Sequence, residues 1–160
     1  MKIVEEYIEY QNTYQSRFGE NTVVLMEVGS FFELYGIETD KLRWGNIRAV
    51  CDILNIVVTR KNKKLLPNSN KNPLMAGFPN YCVHKFINLL LKRDYTVVLV
   101  EQDSHGIPNP GRGVTNIYSP GTNLEFQNSY DSNHIFSIYL EECYSHKYHE
   151  QVTLIGVSII

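Results

Sequence analysis

The sequence predicts an α/β fold: a mixed sheet packed by about three helices, followed by the first strands of a second α/β domain that is cut off. Three observations carry this expectation. Apolar residues at helical spacing alternate along the chain with short runs of β-branched residues. The length, 160 residues, suits one core of ordinary size with little left over. The composition, 43% hydrophobic and 20% charged, is that of a folded globular chain rather than a disordered one.

Element by element, Ile3, Val4, Tyr7, Ile8, Tyr14 and Phe18 recur at helical intervals, so Lys2 to Phe18 is expected to form an amphipathic helix stopped at Gly19. TVVLMEV, Thr22 to Val28, is a buried strand by its β-branched content. Gly29-Ser30 punctuates it, and FFELYG forms a second short strand. Asp40 is placed to cap a helix running through Asn55, with Leu42, Ile47, Val50, Cys51 and Leu54 on one face. IVVTRK, Ile56 to Lys61, is the next strand, and NKKLLPNSNKNP an exposed loop. Gly77-Phe78-Pro79 is expected to turn the chain into a third helix, with Val83, Phe86, Ile87, Leu90 and Leu91 inward. YTVVLVE, Tyr95 to Glu101, is an interior strand. DSHGIPNPGRG is a loop, and VTNIYS a further strand. The domain is expected to span 1–122, with a polar linker at 123–133. HIFSIYLEE and QVTLIGVSII, within 134–160, then open the second domain, because a lone hairpin has no core of its own.

Several function classes are disfavoured. No apolar run is long enough to span a bilayer, and the acidic, interrupted N-terminus is unlike a secretory signal, so no membrane partner is expected. Three widely spaced cysteines suggest no disulfide framework and fit a reducing, intracellular compartment. The chain has no Gly-rich phosphate loop, G-x-S-x-G or H-E-x-x-H. Cys143, His146 and His149 lack the paired spacing of a zinc site and are best taken as solvated side chains.

The formal net charge is −2, yet the charge is unevenly placed. Met1 to Asp40 holds two basic and eight acidic residues, and Lys41 to Arg93 eleven basic and one acidic. Such asymmetry hints at a surface that faces a polyanion. Arg60, Lys61, Lys63 and Lys64 follow a strand end and are placed to meet phosphates, against the plainer alternative of a solvated lysine loop. In GSFFELYG, period 2 puts Phe31 and Glu33 on one face and Phe32 and Leu34 on the other. One face can join the core while the other presents a ring and a carboxylate together. Base rates alone favour an ordinary buried Phe and solvated Glu. Glu27, Glu33, Glu38 and Asp40 also raise a metal-dependent nuclease as an alternative, and a protein-interaction module is another.

The order GSFFELYG, IVVTRK, PLMAGFPNYCVHKF, YTVVLVEQ and R-x-V-x-x-x-x-SPGT resembles the mismatch-recognition domain of MutS-type DNA mismatch-repair proteins, over about Glu5 to Thr122. The tail from Asn133 resembles the start of the family's connector domain. The resemblance implies that Phe31 stacks on a mispaired or unpaired base from the minor groove and that Glu33 hydrogen-bonds it. It places Met75 near the lesion and makes Arg112 a candidate DNA contact. The expected partner is double-stranded DNA carrying mismatches or small loops. No chemistry and no cofactor are expected within this stretch; ATP and magnesium are implied only for the full-length family, which acts as a dimer with one subunit inserting its Phe. Departures are Ser30 for the usual Asp, Tyr81 for a frequent His, and Asn116 for a second Arg. Viral, mitochondrial and cytoplasmic origins all remain open.

Overall fold

The structure, a computed structural model, describes residues 2–39, 42–62, 64, 72–103, 111–122 and 136–159. Asp40, Lys63 and the expected linker at 123–133 lie outside the described residues. The chain divides into two compact units, Met1–Thr122 and Asn123–Ile160.

In the first unit the elements are α1 (Lys2–Phe18), β1 (Thr22–Val28), β2 (Phe31–Glu38), β3 (Arg43–Trp44), α2 (Ile47–Leu54), β4 (Thr59–Arg60), β5 (Leu74–Pro79), a 3-10 turn (Asn80–Cys82), α3 (Val83–Leu91), β6 (Thr96–Gln102) and β7 (Arg112–Tyr118). The sheet runs β4-β5-β2-β1-β6-β7, with β3 paired to β2 off this path. β1 and β6 are parallel, and the other neighbours are antiparallel. The mixed α/β class expected from the sequence is therefore what forms.

Period 2 along β2 assigns each residue to a face. Phe32 and Leu34 point to the side covered by α2 and α3, where Phe78 lies tilted against Phe32 at 6.1 Å and meets Phe86 edge-on at 4.4 Å. Tyr35 and Ile37 point to the other side, where α1 covers them. The Tyr7 ring sits edge-on to Tyr35 at 5.1 Å and to Trp44 at 6.2 Å. Helix α1 thus covers one end of its face and leaves the other end, at Phe31 and Glu33, uncovered.

Helix α1 also completes the sheet. β2 pairs with β1 only from Met26 to Val28, so the first half of β1 has no strand on that side. Gln11, buried at 2% exposure, fills the gap. Its amide nitrogen donates to the Thr22 carbonyl at 2.7 Å, and its oxygen accepts from the Val24 N–H at 2.9 Å. One residue of a parallel strand would bond the same two groups. The helical spacing of apolar residues gave no sign of this polar anchor.

Four expectations need correction. The second helix begins at Ile47, not at Asp40, because Arg43 and Trp44 pair with Glu38 and Ile37 and hold the chain extended first. The strand expected at Ile56 to Lys61 is paired only at Thr59 and Arg60. β2 runs on past Gly36 to Glu38. Gly77-Phe78-Pro79 is the end of a strand rather than a turn, with Phe78 opposite Phe32 and Gly77 opposite Glu33.

The second unit contains an antiparallel pair, β8 (Phe136–Ser145) and β9 (Glu150–Ile159), aligned from Phe136 opposite Ile159 to Ser145 opposite Glu150. Both strands carry exposed apolar side chains such as Leu140 and Ile155. Cys51, Cys82 and Cys143 are free thiols, and no helix among the described residues is long and apolar enough to cross a membrane.

Replacing Gln11 with Ala should leave two buried backbone groups without partners. The expected cost is about 3 kcal/mol, each orphaned group contributing on the order of 1–3, and equilibrium urea unfolding against the parent chain measures it.

Candidate nucleic-acid interface

The candidate site is built on the β1–β2 hairpin. Val28 and Phe31 are directly paired, so Gly29 and Ser30 alone make the connection. Gly29 has φ +64°, whereas Ser30 is not among the positive-φ residues. This is the pattern of a two-residue turn with glycine first, which matches the twist of the flanking strands. The turn delivers Phe31 as the first residue of β2, at 46% exposure, beside the fully buried Phe32.

Glu33 follows on the same face and is half-buried. Opposite it stands Gly77, where a Cβ would come within 3.4 Å of Glu33 Cγ and 3.0 Å of the Phe32 carbonyl oxygen. The missing side chain leaves the space in which Glu33 lies. The next residue on this face is Tyr35, opposite Met75. Its ring is buried, its hydroxyl donates to Glu33 Oε2, and it accepts from Lys61 Nζ at 2.8 Å. Burial, and then the bond to Glu33, holds the Tyr35 phenol far above its usual range, so it keeps its proton. Lys61 lies at the surface with its ammonium turned in on that hydroxyl. Partial desolvation lowers its pKa, and the Glu33 charge opposes the shift.

Phe31, Glu33, Met75 and Lys61 therefore share one face, with Met75 half-buried against the core. Lys64 is exposed just beyond β4, its backbone N–H bonded to Asn62 Oδ1 at 3.0 Å. Tyr35 and Gly77, which shape this site, were not singled out for it from the sequence. The period-2 pattern that pairs Phe31 with Glu33 reaches Tyr35 one step later, so the signal was available.

Arg60 stands apart from this group, and Arg112, although its charge is felt by Tyr35 and Lys61, is committed to other partners. Arg60 is paired with Leu74 on the opposite face, where it lines a cleft of about 410 Å³ with Arg48, Val58, Thr59 and Leu74. Arg112 has a side chain only 7% exposed, ion-paired with Glu6 at 3.5 Å. Its Nε donates to the Glu27 carbonyl at 2.7 Å and its Nη2 to Gln102 Oε1 at 3.3 Å. Gln102 Oε1 also accepts the Gly29 N–H at 3.1 Å, while Gln102 N–H donates to Glu27 Oε2 at 3.0 Å. As placed, Arg112 is a buried brace under the hairpin rather than a surface cation.

Among the described residues, which do not include Asp40, the carboxylates that a nuclease would need together are apart. Glu27, 4% exposed, is paired with Phe32 and faces the α2–α3 side, whereas Glu33 faces the other way. Glu38 is ion-paired with Arg43 and Arg48. No group of three or more potential metal ligands occurs among the described residues. Antiparallel register, which puts Glu27 and Glu33 on opposite faces, removes the geometric basis of that alternative. The basic run is likewise not one patch. Arg43 and Arg48 are spent on Glu38, and Lys85, Lys92 and Arg93 lie on or just after α3, on the side away from Phe31.

Arg112→Met should loosen the hairpin at its base. A loss of about 3 kcal/mol is expected for removing one partner of a largely buried ion pair. Hydrogen exchange should show lost protection at the Gly29 amide well before the β6 amides.

Comparison with known proteins gives the family. MutS domain I matches residues 4–127. A protein of Acanthamoeba polyphaga mimivirus, described as a homologue of the DNA mismatch repair protein MutS, is 28% identical over 155 residues, covering 96% of this chain and 14% of its own length. The DNA mismatch repair protein MutS of Lactobacillus acidophilus is 29% identical over 146 residues, covering 88% of this chain and 15% of its own. That of Lactococcus lactis subsp. lactis is 27% identical over 139 residues, 84% of this chain and 14% of its own. The chain thus spans about one seventh of the length of the curated relatives it matches. With a MutS domain I match covering most of its residues, the chain belongs to the MutS domain I family.

Proposed function

We propose that this domain binds mispaired or unpaired sites in double-stranded DNA during mismatch repair. Phe31 enters from the minor groove and stacks on the affected base, and Glu33 hydrogen-bonds that base. Lys61, Lys63 and Lys64 meet the phosphates, and Met75 lies near the lesion. The observation that carries this reading is the exposure of Phe31, 46%, on the rim of a tight hairpin and on one face with Glu33. A half-exposed ring forgoes part of the roughly 2 kcal/mol that full burial of a Phe gives. A wedge function accounts for that loss.

The physics of discrimination follows. Inserting an apolar side chain between base steps unstacks them and kinks the duplex, at a few kcal/mol. A mismatch has already lost part of its pairing and stacking, so it yields more cheaply, and selection works through deformability rather than base sequence. The lysines add affinity that is blind to sequence and sensitive to salt. This reading leaves out Arg60, which is paired with Leu74 on the opposite face, and Arg112, which is ion-paired with Glu6.

The relatives are DNA mismatch repair proteins about seven times longer than this chain. We therefore assign ATP and magnesium use, and homodimer formation with one subunit inserting its Phe, to the full-length protein. The domain alone carries no chemistry and is expected to bind DNA feebly, with little discrimination. The division into a recognition domain over 1–122 and the start of a connector at 134–160 belongs to the same proposal.

In the full-length protein, Phe31→Ala should abolish preference for mismatched over matched duplex while keeping most of the nonspecific affinity, read by fluorescence anisotropy. Survival of the preference would show that Phe31 is not the wedge. Lys64→Ala should weaken binding to all duplexes alike, and both Lys64→Ala and Lys61→Ala should reduce the slope of log K against log salt by about one. A binding constant indifferent to salt would point instead to a protein partner.

A further inference from the structure

Glu33 is held before any DNA arrives. Its Oε2 accepts from the Tyr35 hydroxyl, whose oxygen accepts in turn from Lys61 Nζ at 2.8 Å. With Lys61 donating to that oxygen, the single hydroxyl proton is aimed at the carboxylate. Tyr35 has little freedom of its own: its ring is buried and lies 5.1 Å, edge-on, from Tyr7, whose hydroxyl is fixed on the Val24 carbonyl at 3.2 Å. Gly77 leaves room for the carboxylate on its other flank. No hydrogen bond to Glu33 Oε1 occurs among the described residues.

We propose that Tyr35 and Lys61 are positioning residues that fix Glu33 as a hydrogen-bond acceptor, so that the site favours a mispaired base offering an N–H over one offering a lone pair. The assignment rests on the wedge reading above and adds a choice among mismatches to it. A carboxylate that already receives a donor on one oxygen has only lone pairs to give on the other. From the minor groove, guanine presents its 2-amino group, whereas adenine N3 and the pyrimidine O2 atoms are acceptors. Loss of normal pairing also lays open the imino N–H of guanine or thymine. Adenine and cytosine carry no proton on the corresponding ring nitrogen, so either would bring a lone pair toward Glu33. Orienting the carboxylate in advance also removes the cost of ordering it at the moment of binding.

The experiment compares the full-length protein with its Tyr35→Phe, Lys61→Met, Glu33→Gln and Phe31→Ala variants. Anisotropy titrations at fixed salt would use duplexes alike except for one G·T mismatch, one A·C mismatch or a matched pair. The parent should favour G·T over A·C, and Tyr35→Phe should lower that ratio by about tenfold, the size expected for a hydrogen bond to a charged group. Lys61→Met should lower the ratio in the same direction, beyond any uniform loss of affinity. Because it alters a surface side chain, it keeps the test open if Tyr35→Phe fails to fold. In the Glu33→Gln background, Tyr35→Phe should change the ratio no further, since the two act as one unit. A parent preference for A·C, or a ratio untouched by both Tyr35→Phe and Lys61→Met, overturns the positioning role. Loss of all mismatch preference in Phe31→Ala alongside that result would leave the wedge standing. Mismatch preference that persists in Phe31→Ala would remove the wedge itself.

Discussion

Everything at the proposed interface depends on the alignment of β1 with β2. Val28 opposite Phe31 and Met26 opposite Glu33 decide which side chains of FFELYG enter the core. A slip of one residue would exchange Phe31 with Phe32 and turn Glu33 inward, because alternate residues in a strand face opposite ways. Two devices oppose that slip. Gly29 supplies the positive φ that a two-residue connection needs, and Phe32 is locked between Phe78 and the side chains under α2 and α3. A ring left at the surface is thus balanced by one firmly buried beside it.

Much of this architecture was legible from residue order. The helix from Lys2 to Phe18 and the strands TVVLMEV and YTVVLVE announce themselves through periodicity and β-branching, because their apolar residues do the packing. The pairing of Phe31 with Glu33 on one face also followed from period 2. What remained hidden depended on partners distant in the chain. Gln11 reads as one polar residue among many on α1, and its role emerges only when the gap beside β1 is visible. Arg112 is a candidate DNA contact by the resemblance, yet it reaches back to Glu27 and Glu6. Gly77 and Pro79 carried turn chemistry in the sequence, but β2 draws them into a strand.

The charge pattern teaches a similar lesson. A stretch of eleven basic residues against one acidic suggested a single face. Folding distributes those cations by the element each sits on: to Glu38 for Arg43 and Arg48, to the far side of the sheet for Arg60 and the α3 group. Among the described residues of the run, Lys61 is the one turned toward Glu33, and it reaches it through a tyrosine rather than by direct pairing. Sequence-local charge therefore marks the class of partner better than it marks the contact residues.

The Gln11 amide has a consequence for how the domain can be dissected. It stands in for a missing strand along the first half of β1. A fragment beginning after Phe18 would keep every strand of the sheet, yet it would open a row of unpaired backbone groups on its most apolar strand. An uncovered edge of that kind is a template for pairing with another chain. The N-terminal helix is accordingly a guard against self-association as well as a packing element, and a soluble version of the domain has to carry it.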